Sequence, residues 1–258
     1  MPKFAANLSM LFTEFDFLER FDVAAKAGFQ GVEYLFPYAF EQQTLKNKLS
    51  ENGLKQVLFN LPAGDWEQGD RGIAVDPARV EEFKSGVAMA IEYAKALECD
   101  QLNCLAGIVP TGVSAEQAET TFISNLRYAS EELEKAGVKL IIEAINTRDI
   151  PGFFLTNTQQ ALAIIEQTGS GNIQVQYDIY HMQIMEGDLA QTLSNNLAQI
   201  RHVQLADNPG RHEPGTGEIN YPFVLQHLDS IGYQGWVGCE YKPKTTTLAG
   251  LRWLEEYN

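Results

Sequence analysis

Basic residues are scarce in this chain: 19 lysines and arginines stand against 34 acidic residues, a formal charge of −15. A surface of that sign repels a phosphate backbone and anionic lipid headgroups, which disfavours nucleic acids and membranes as partners. Small anions stay open, because a local arginine or metal reverses the potential inside a pocket. Cysteine is scarce too. Cys99, Cys104 and Cys239 are an odd set with no C-x-x-C and no ligand-like spacing, so they read as small core hydrophobes of a reduced compartment. No apolar run reaches membrane-spanning length, and the N-terminal MPKFAANLSMLFTEF has one lysine and early polar breaks, unlike a secretion signal. The expected location is the cytoplasm. Also missing are a G-x-S-x-G elbow, a P-loop and a G-x-G-x-x-G turn, the usual signs of a serine hydrolase or a nucleotide site.

What is present is alternation. Apolar runs of strand length occur at 3–11, 31–37, 54–62, 101–107, 139–146, 173–181, 200–207 and 235–243. Between them lie stretches of helical period, such as FDFLERFDVAAKAG, ARVEEFKSGVAMAIEYAKAL and SAEQAETTFISNLRYASEELEKAG, most of them closed by a glycine C-cap. Eight β-then-α units in a chain of 258 residues are what a (β/α)8 TIM barrel requires, and no linker divides the chain, so one α/β barrel domain over 1–258 is expected. The runner-up, an open doubly wound sheet, would carry a glycine-rich first turn, and SMLFTEFDF has no glycine. The longest irregular segment, NLPAGDWEQGDRGIAVDP at 60–77, is a candidate lid, or else an excursion whose tryptophan packs on the rim.

Barrel chemistry sits where strands end. The last four strands present Glu143, Asp178, Gln204 and Glu240 there, four oxygen donors one βα unit apart. Three converging carboxylates repel and raise one another's pKa unless protons or a cation neutralise them. A hard, oxygen-rich set favours Mg²⁺ over Zn²⁺, with Mn²⁺ as the alternative. Of the cations on these strands, Lys242 is the main candidate partner for Glu240. His181, three residues after Asp178, either holds a substrate oxygen or joins the metal, whereas His202 points into the barrel interior below Gln204. His227 falls in a helical stretch and reads as structural. The loop DNPGRHEPGTGEINY brings Arg211, His212 and Glu213 to the mouth, and the fork of Arg211 suits a substrate carboxylate.

Glu143 and Glu240 come from strands five and eight, so closure sets them on opposite sides of the mouth. Two such carboxylates with a metal fit proton transfer between adjacent carbons through an enediolate, the chemistry of aldose–ketose isomerisation or epimerisation.

The segments FAANLSMLFTE, GVEYLFPY, NLPAGDW, NLRYA, VQYDIYHMQIMEG, ADNPGRHEPGTGEINY and GWVGCEYKP together resemble the hydroxypyruvate isomerases, within the xylose-isomerase-like group of TIM barrels. The resemblance runs nearly end to end. It implies interconversion of hydroxypyruvate and 2-hydroxy-3-oxopropanoate in glyoxylate metabolism, with Glu143 and Glu240 as the acid/base pair. It also implies Glu143, Asp178, Gln204 and Glu240 as metal ligands. Many sugar epimerases of the wider group have histidine where Gln204 stands. Rivals are an isomerase of a four-carbon acid such as 2-oxo-tetronate or of a free ketose, a noncatalytic binding barrel, and a DNA-repair endonuclease. The last would want clustered zinc-binding histidines and a basic face, against four histidines and −15 here. Homo-oligomerisation is left open.

Overall fold

A computed structural model describes residues 2–257. Its strands are β1 (Lys3–Asn7), β2 (Gly31–Glu33), β3 (Lys55–Asn60), β4 (Gln101–Cys104), β5 (Lys139–Glu143), β6 (Ile173–Asp178), β7 (Ile200–Leu205) and β8 (Trp236–Cys239). They are parallel, pair in sequential order, and close through β8 on β1 into a barrel ringed by helices. Every expected strand is present, and each ends a few residues early. The cause is visible at β6. Asp178 accepts hydrogen bonds from the backbone N–H groups of Tyr180 (2.7 Å) and His181 (3.1 Å), capping the helix Ile179–Met185, so the apolar run continues as helix instead of ladder. Such a cap stabilises a helix by about 1 kcal/mol.

The helices bury one stripe each. In Val80–Leu97 the buried side chains Phe83, Val87, Ile91, Ala94 and Leu97 recur at three- and four-residue steps, the spacing of one helical face. Ser114 and Gln117 form a capping box that starts Ala115–Lys135. Between helices and sheet lies the larger core, where full burial of a side chain such as Phe122 or Leu126 is worth roughly 1.5–3 kcal/mol. A separate, smaller cluster of Ala5, Val57, Leu58 and Ile141 has Trp236 packed against it. Buried polar side chains of the barrel, among them Gln176, His202 and Gln204, are hydrogen-bonded to one another or to Glu33.

The segment 60–77 is fastened down. Ile73, Ala74 and Val75 are buried, and the Asn125 amide donates to the Ala74 carbonyl at 2.8 Å. Trp66 packs edge-on against Phe36 with ring centroids 5.2 Å apart, beneath the Arg71 guanidinium at 4.3 Å. Of the two expectations for this segment, rim packing describes its tryptophan, which also walls the central cavity. No helix among the described residues is long and apolar enough to cross a membrane.

Candidate active site

Each strand delivers one polar side chain to the mouth: Asn7, Glu33, Asn60, Asn103, Glu143, Asp178 and Gln204, with Glu240 one residue past β8. All eight are buried. Buried polar groups need partners, and these are paired across strands. Glu143 Oε2 accepts from Asn103 Nδ2 at 3.1 Å, and Glu240 Oε1 accepts from Asn7 Nδ2 at 3.2 Å. An asparagine on the neighbouring strand thus steadies each glutamate.

The cation that meets Glu240 is Arg211, whose Nη2 donates to Glu240 Oε2 at 2.7 Å. Lys242, the sequence-based candidate, is exposed; two residues on from Glu240 the chain has left the barrel wall, and its backbone N–H donates to the Arg211 carbonyl at 2.8 Å. Arg211 itself sits in the left-handed backbone region at φ 53°. Its loop is organised by Asp207, whose carboxylate accepts the N–H groups of Gly215, Gly217 and Ile219. Gly217 must be glycine, since a Cβ there would come 2.0 Å from the Asn208 carbonyl oxygen. His212 and Glu213 face away from the chemistry: His212 Nδ1 contacts the Lys242 carbonyl, and Glu213 accepts the Lys244 N–H, tying the loop to the segment after β8. His227 lies in the helix Tyr221–Ser230 against Ser194.

Ligand atoms of Glu143, Asp178, His181 and Glu240 lie within 4.8 Å of one another. Two carboxylate oxygens in this cluster, Glu143 Oε1 and Asp178 Oδ2, are buried without a hydrogen-bond partner. Orphaned anionic oxygens are costly, and a cation between them removes that cost. The cluster is therefore a fitting site for a divalent metal. Burial, then the neighbouring Glu240 and Asp178, drives the Glu143 carboxyl well above the usual range. Burial also pushes Glu240 up to about 8, against the pull of Arg211.

His181 is positioned by Asn146. The Asn146 Oδ1 accepts the Asp149 N–H at 2.7 Å, which turns its amide nitrogen toward His181 Nδ1 at 2.6 Å. Nδ1 is then the acceptor and Nε2 carries the hydrogen. Burial lowers the His181 pKa to about 4, so the ring is neutral at pH 7 and presents an N–H donor to the cavity. Gln204 bridges Gln176, from which its oxygen accepts, and Glu33, to which its Nε2 donates at 2.8 Å. Of the candidate site residues, Glu143, His181, Gln204, Arg211 and Glu240 line one cavity of about 90 Å³, and Asp178 joins Glu143, His181 and Glu240 in the metal-capable cluster. Sequence reasoning did not find Asn7, Glu33, Asn60 and Asn103, although the first three end their strands as Glu143 does and Asn103 stands one residue before the end of β4.

A family model described as a xylose isomerase-like TIM barrel matches residues 21–257. The chain belongs to that family. It is 55% identical to the hydroxypyruvate isomerase of Escherichia coli over 257 residues, covering 100% of both chains. It is 45% identical to a 2-oxo-tetronate isomerase of Cupriavidus necator, covering 100% of this chain and 99% of that one. A solved structure described as an AP endonuclease, family 2, from Brucella melitensis superposes with a TM-score of 0.98 at 46% identity, over 100% of each chain.

Proposed function

We propose that this protein is an aldose–ketose-type isomerase that interconverts hydroxypyruvate and 2-hydroxy-3-oxopropanoate. The observation that carries the reading is the pairing of two buried glutamates, Glu143 and Glu240, in one small cavity with a metal-capable cluster and an arginine. One carboxylate removes a proton from C3, leaving an enediolate, and the other carboxyl group returns a proton to C2. The C3 hydroxyl proton ends on the C2 oxygen, so the reaction is a redistribution of hydrogen within one molecule.

Glu143, Asp178 and Glu240, with the amide oxygen of Gln204, would hold the metal. Bound there, a divalent cation such as Mg²⁺ or Mn²⁺ stabilises negative charge developing on the substrate oxygens. The Nε2–H of His181 is a donor for a substrate oxygen, which separates its role from that of the carboxylates. Arg211 receives the substrate carboxylate. Its Nε is buried without an acceptor, and burial is outweighed by Glu240 and Asp178 in keeping the guanidinium charged.

The cavity, about 90 Å³, accommodates a small acid among its charged and amide side chains, and the likeness to a hydroxypyruvate isomerase favours a three-carbon one. The likeness to a 2-oxo-tetronate isomerase favours a four-carbon acid as the second reading. The endonuclease reading finds less support, since the metal-capable cluster contains one histidine and the chain carries −15. Steady-state comparison of hydroxypyruvate with four- and five-carbon 2-oxo acids and ketoses, with Mg²⁺ restored after chelation, tests the assignment; a ketose as preferred substrate would refute it. Trp66 forms part of the wall, so Trp66→Ala should shift the kcat/KM ratio toward the four-carbon acid by about tenfold or more. An unchanged ratio would remove Trp66 from the determinants of chain length.

A further inference from the structure

Glu33 is a buried carboxylate that the proposed reaction does not use. It is 1% exposed, and both its oxygens are engaged. Oε2 meets His202 Nε2 at 2.7 Å, while Oε1 accepts from Gln204 Nε2 at 2.8 Å and from Asn7 Nδ2 at 3.0 Å. The same Asn7 amide nitrogen donates to Glu240, and its oxygen is tied to the Ser9 N–H at 3.1 Å, which settles the orientation of the amide. Gln101 Nε2 lies 3.5 Å from His202 Nδ1 and turns the other ring nitrogen into the donor toward Glu33.

The chain also makes room for this carboxylate. A Cβ on Gly238 would come 2.3 Å from each Glu33 oxygen, so the carboxylate rests directly on the β8 backbone, two residues before Glu240. A side chain at 238 would evict it.

On the isomerase reading above, we infer that Glu33, seated on Gly238, is a positioning residue that orients Glu240 through Asn7 and sets which end of the Gln204 amide faces the metal cluster. Without the carboxylate, Asn7 loses one of the two acceptors that aim its N–H groups, and the Gln204 amide loses the partner that fixes its direction. Groups that orient the residues around a metal commonly change affinity or rate 10- to 100-fold when removed, so an effect of about that size is expected.

The test uses Glu33→Ala, Gly238→Ala and Asn7→Ser; alanine at 33 removes both acceptor oxygens, where glutamine would keep one for Asn7 and Gln204, and serine at 7 keeps an acceptor for the Ser9 N–H but loses the donor that reaches Glu240. Solvent-deuterium exchange into hydroxypyruvate and Mn²⁺ binding by calorimetry are measured for each folded variant beside the wild type. Glu33→Ala should lower kcat about 10- to 100-fold with KM little changed and should weaken Mn²⁺ binding. Asn7→Ser combined with Glu33→Ala should lose clearly less than the product of the two single effects, because Glu33 acts in part through Asn7. Gly238→Ala should move both readouts in the same direction as Glu33→Ala; if one of the two fails to fold, the other takes its place. Wild-type rate and Mn²⁺ affinity in Glu33→Ala, or single effects that multiply in full in the double variant, overturn the inference. Should the wild-type chain exchange none of a panel of 2-oxo acids, the isomerase reading fails instead, and Mn²⁺ affinity alone then decides the role of Glu33.

Discussion

Replacing either Glu143 or Glu240 with glutamine should lower solvent-deuterium exchange into hydroxypyruvate by about 10²- to 10⁴-fold, the usual size of a positioned acid/base contribution. The barrel should fold as before. Glutamine keeps the shape and an acceptor oxygen, so Asn103 still has a partner at 143 and Asn7 at 240. It also removes one negative charge from a cluster in which burial and neighbouring carboxylates raise both glutamates. The thermal midpoint of metal-free Glu143→Gln should accordingly be no lower than that of the wild type, whereas Glu240→Gln also gives up the ion pair with Arg211. Near-normal exchange in either variant removes that glutamate from the reaction, whereas loss of exchange with loss of circular dichroism says only that the barrel needs it. Because each carboxylate serves one direction of a shared proton transfer, the double variant should be little worse than the single ones.

Metal affinity should depend strongly on pH. The Glu240 carboxyl titrates at about 8 in the folded metal-free protein, raised first by burial, against a reference of 4.5, and Glu143 is raised in the same direction. A carboxyl with a raised folded pKa binds its proton more tightly in the folded than in the unfolded chain. Its stabilising contribution is present below about 4.5 and is lost as pH rises toward about 8. A cation must displace these protons, so Mn²⁺ affinity should climb with pH by up to about tenfold per unit for each proton released, then level off above that range. Calorimetry in buffers of different ionisation enthalpy counts the protons, and the Mn²⁺-induced rise in thermal midpoint should be larger at the alkaline end of the interval. Affinity flat across it would mean that the metal does not engage these carboxylates.

The barrel was legible because its evidence is repetitive: eight apolar runs alternate with helical stretches, most of them closed by glycine. Strand ends were less so. At β6 the run VQYDIYH reads as continuous strand, and only the Asp178 cap, a three-dimensional contact, shows that IYH is helix. The site was half legible. Glu143, Asp178 and Glu240 stood out as charges in apolar surroundings. Asn7, Asn60 and Asn103 did not, since an asparagine at a strand end is the ordinary residue of a turn. Glu33 could be given meaning only by closure. Its partner His202 lies 169 residues away on β7, and the two meet only because the closed barrel turns both side chains into its interior. Lys242 shows the reverse error, because proximity in sequence made it the natural partner of Glu240, and the chain, already past the end of β8, leaves its side chain exposed.

One principle organises the site. A row of polar strand ends, costly to bury singly, becomes affordable when each is hydrogen-bonded to the next and the remaining anionic oxygens, Glu143 Oε1 and Asp178 Oδ2, converge where a cation fits. The same arrangement leaves Glu143 and Glu240 with the freedom to exchange protons with a small bound acid.

The most direct test is to incubate the purified protein, chelated and then reloaded with Mg²⁺ or Mn²⁺, with hydroxypyruvate in deuterium oxide and to follow the carbons by nuclear magnetic resonance. The proposed function predicts 2-hydroxy-3-oxopropanoate carrying deuterium at C2, and hydroxypyruvate that gains deuterium at C3 as the reaction reverses. Product formed with no deuterium at C2 at early times would point to direct hydride transfer between the carbons and contradict the two-glutamate account, and so would no turnover of hydroxypyruvate beside rapid turnover of a longer sugar.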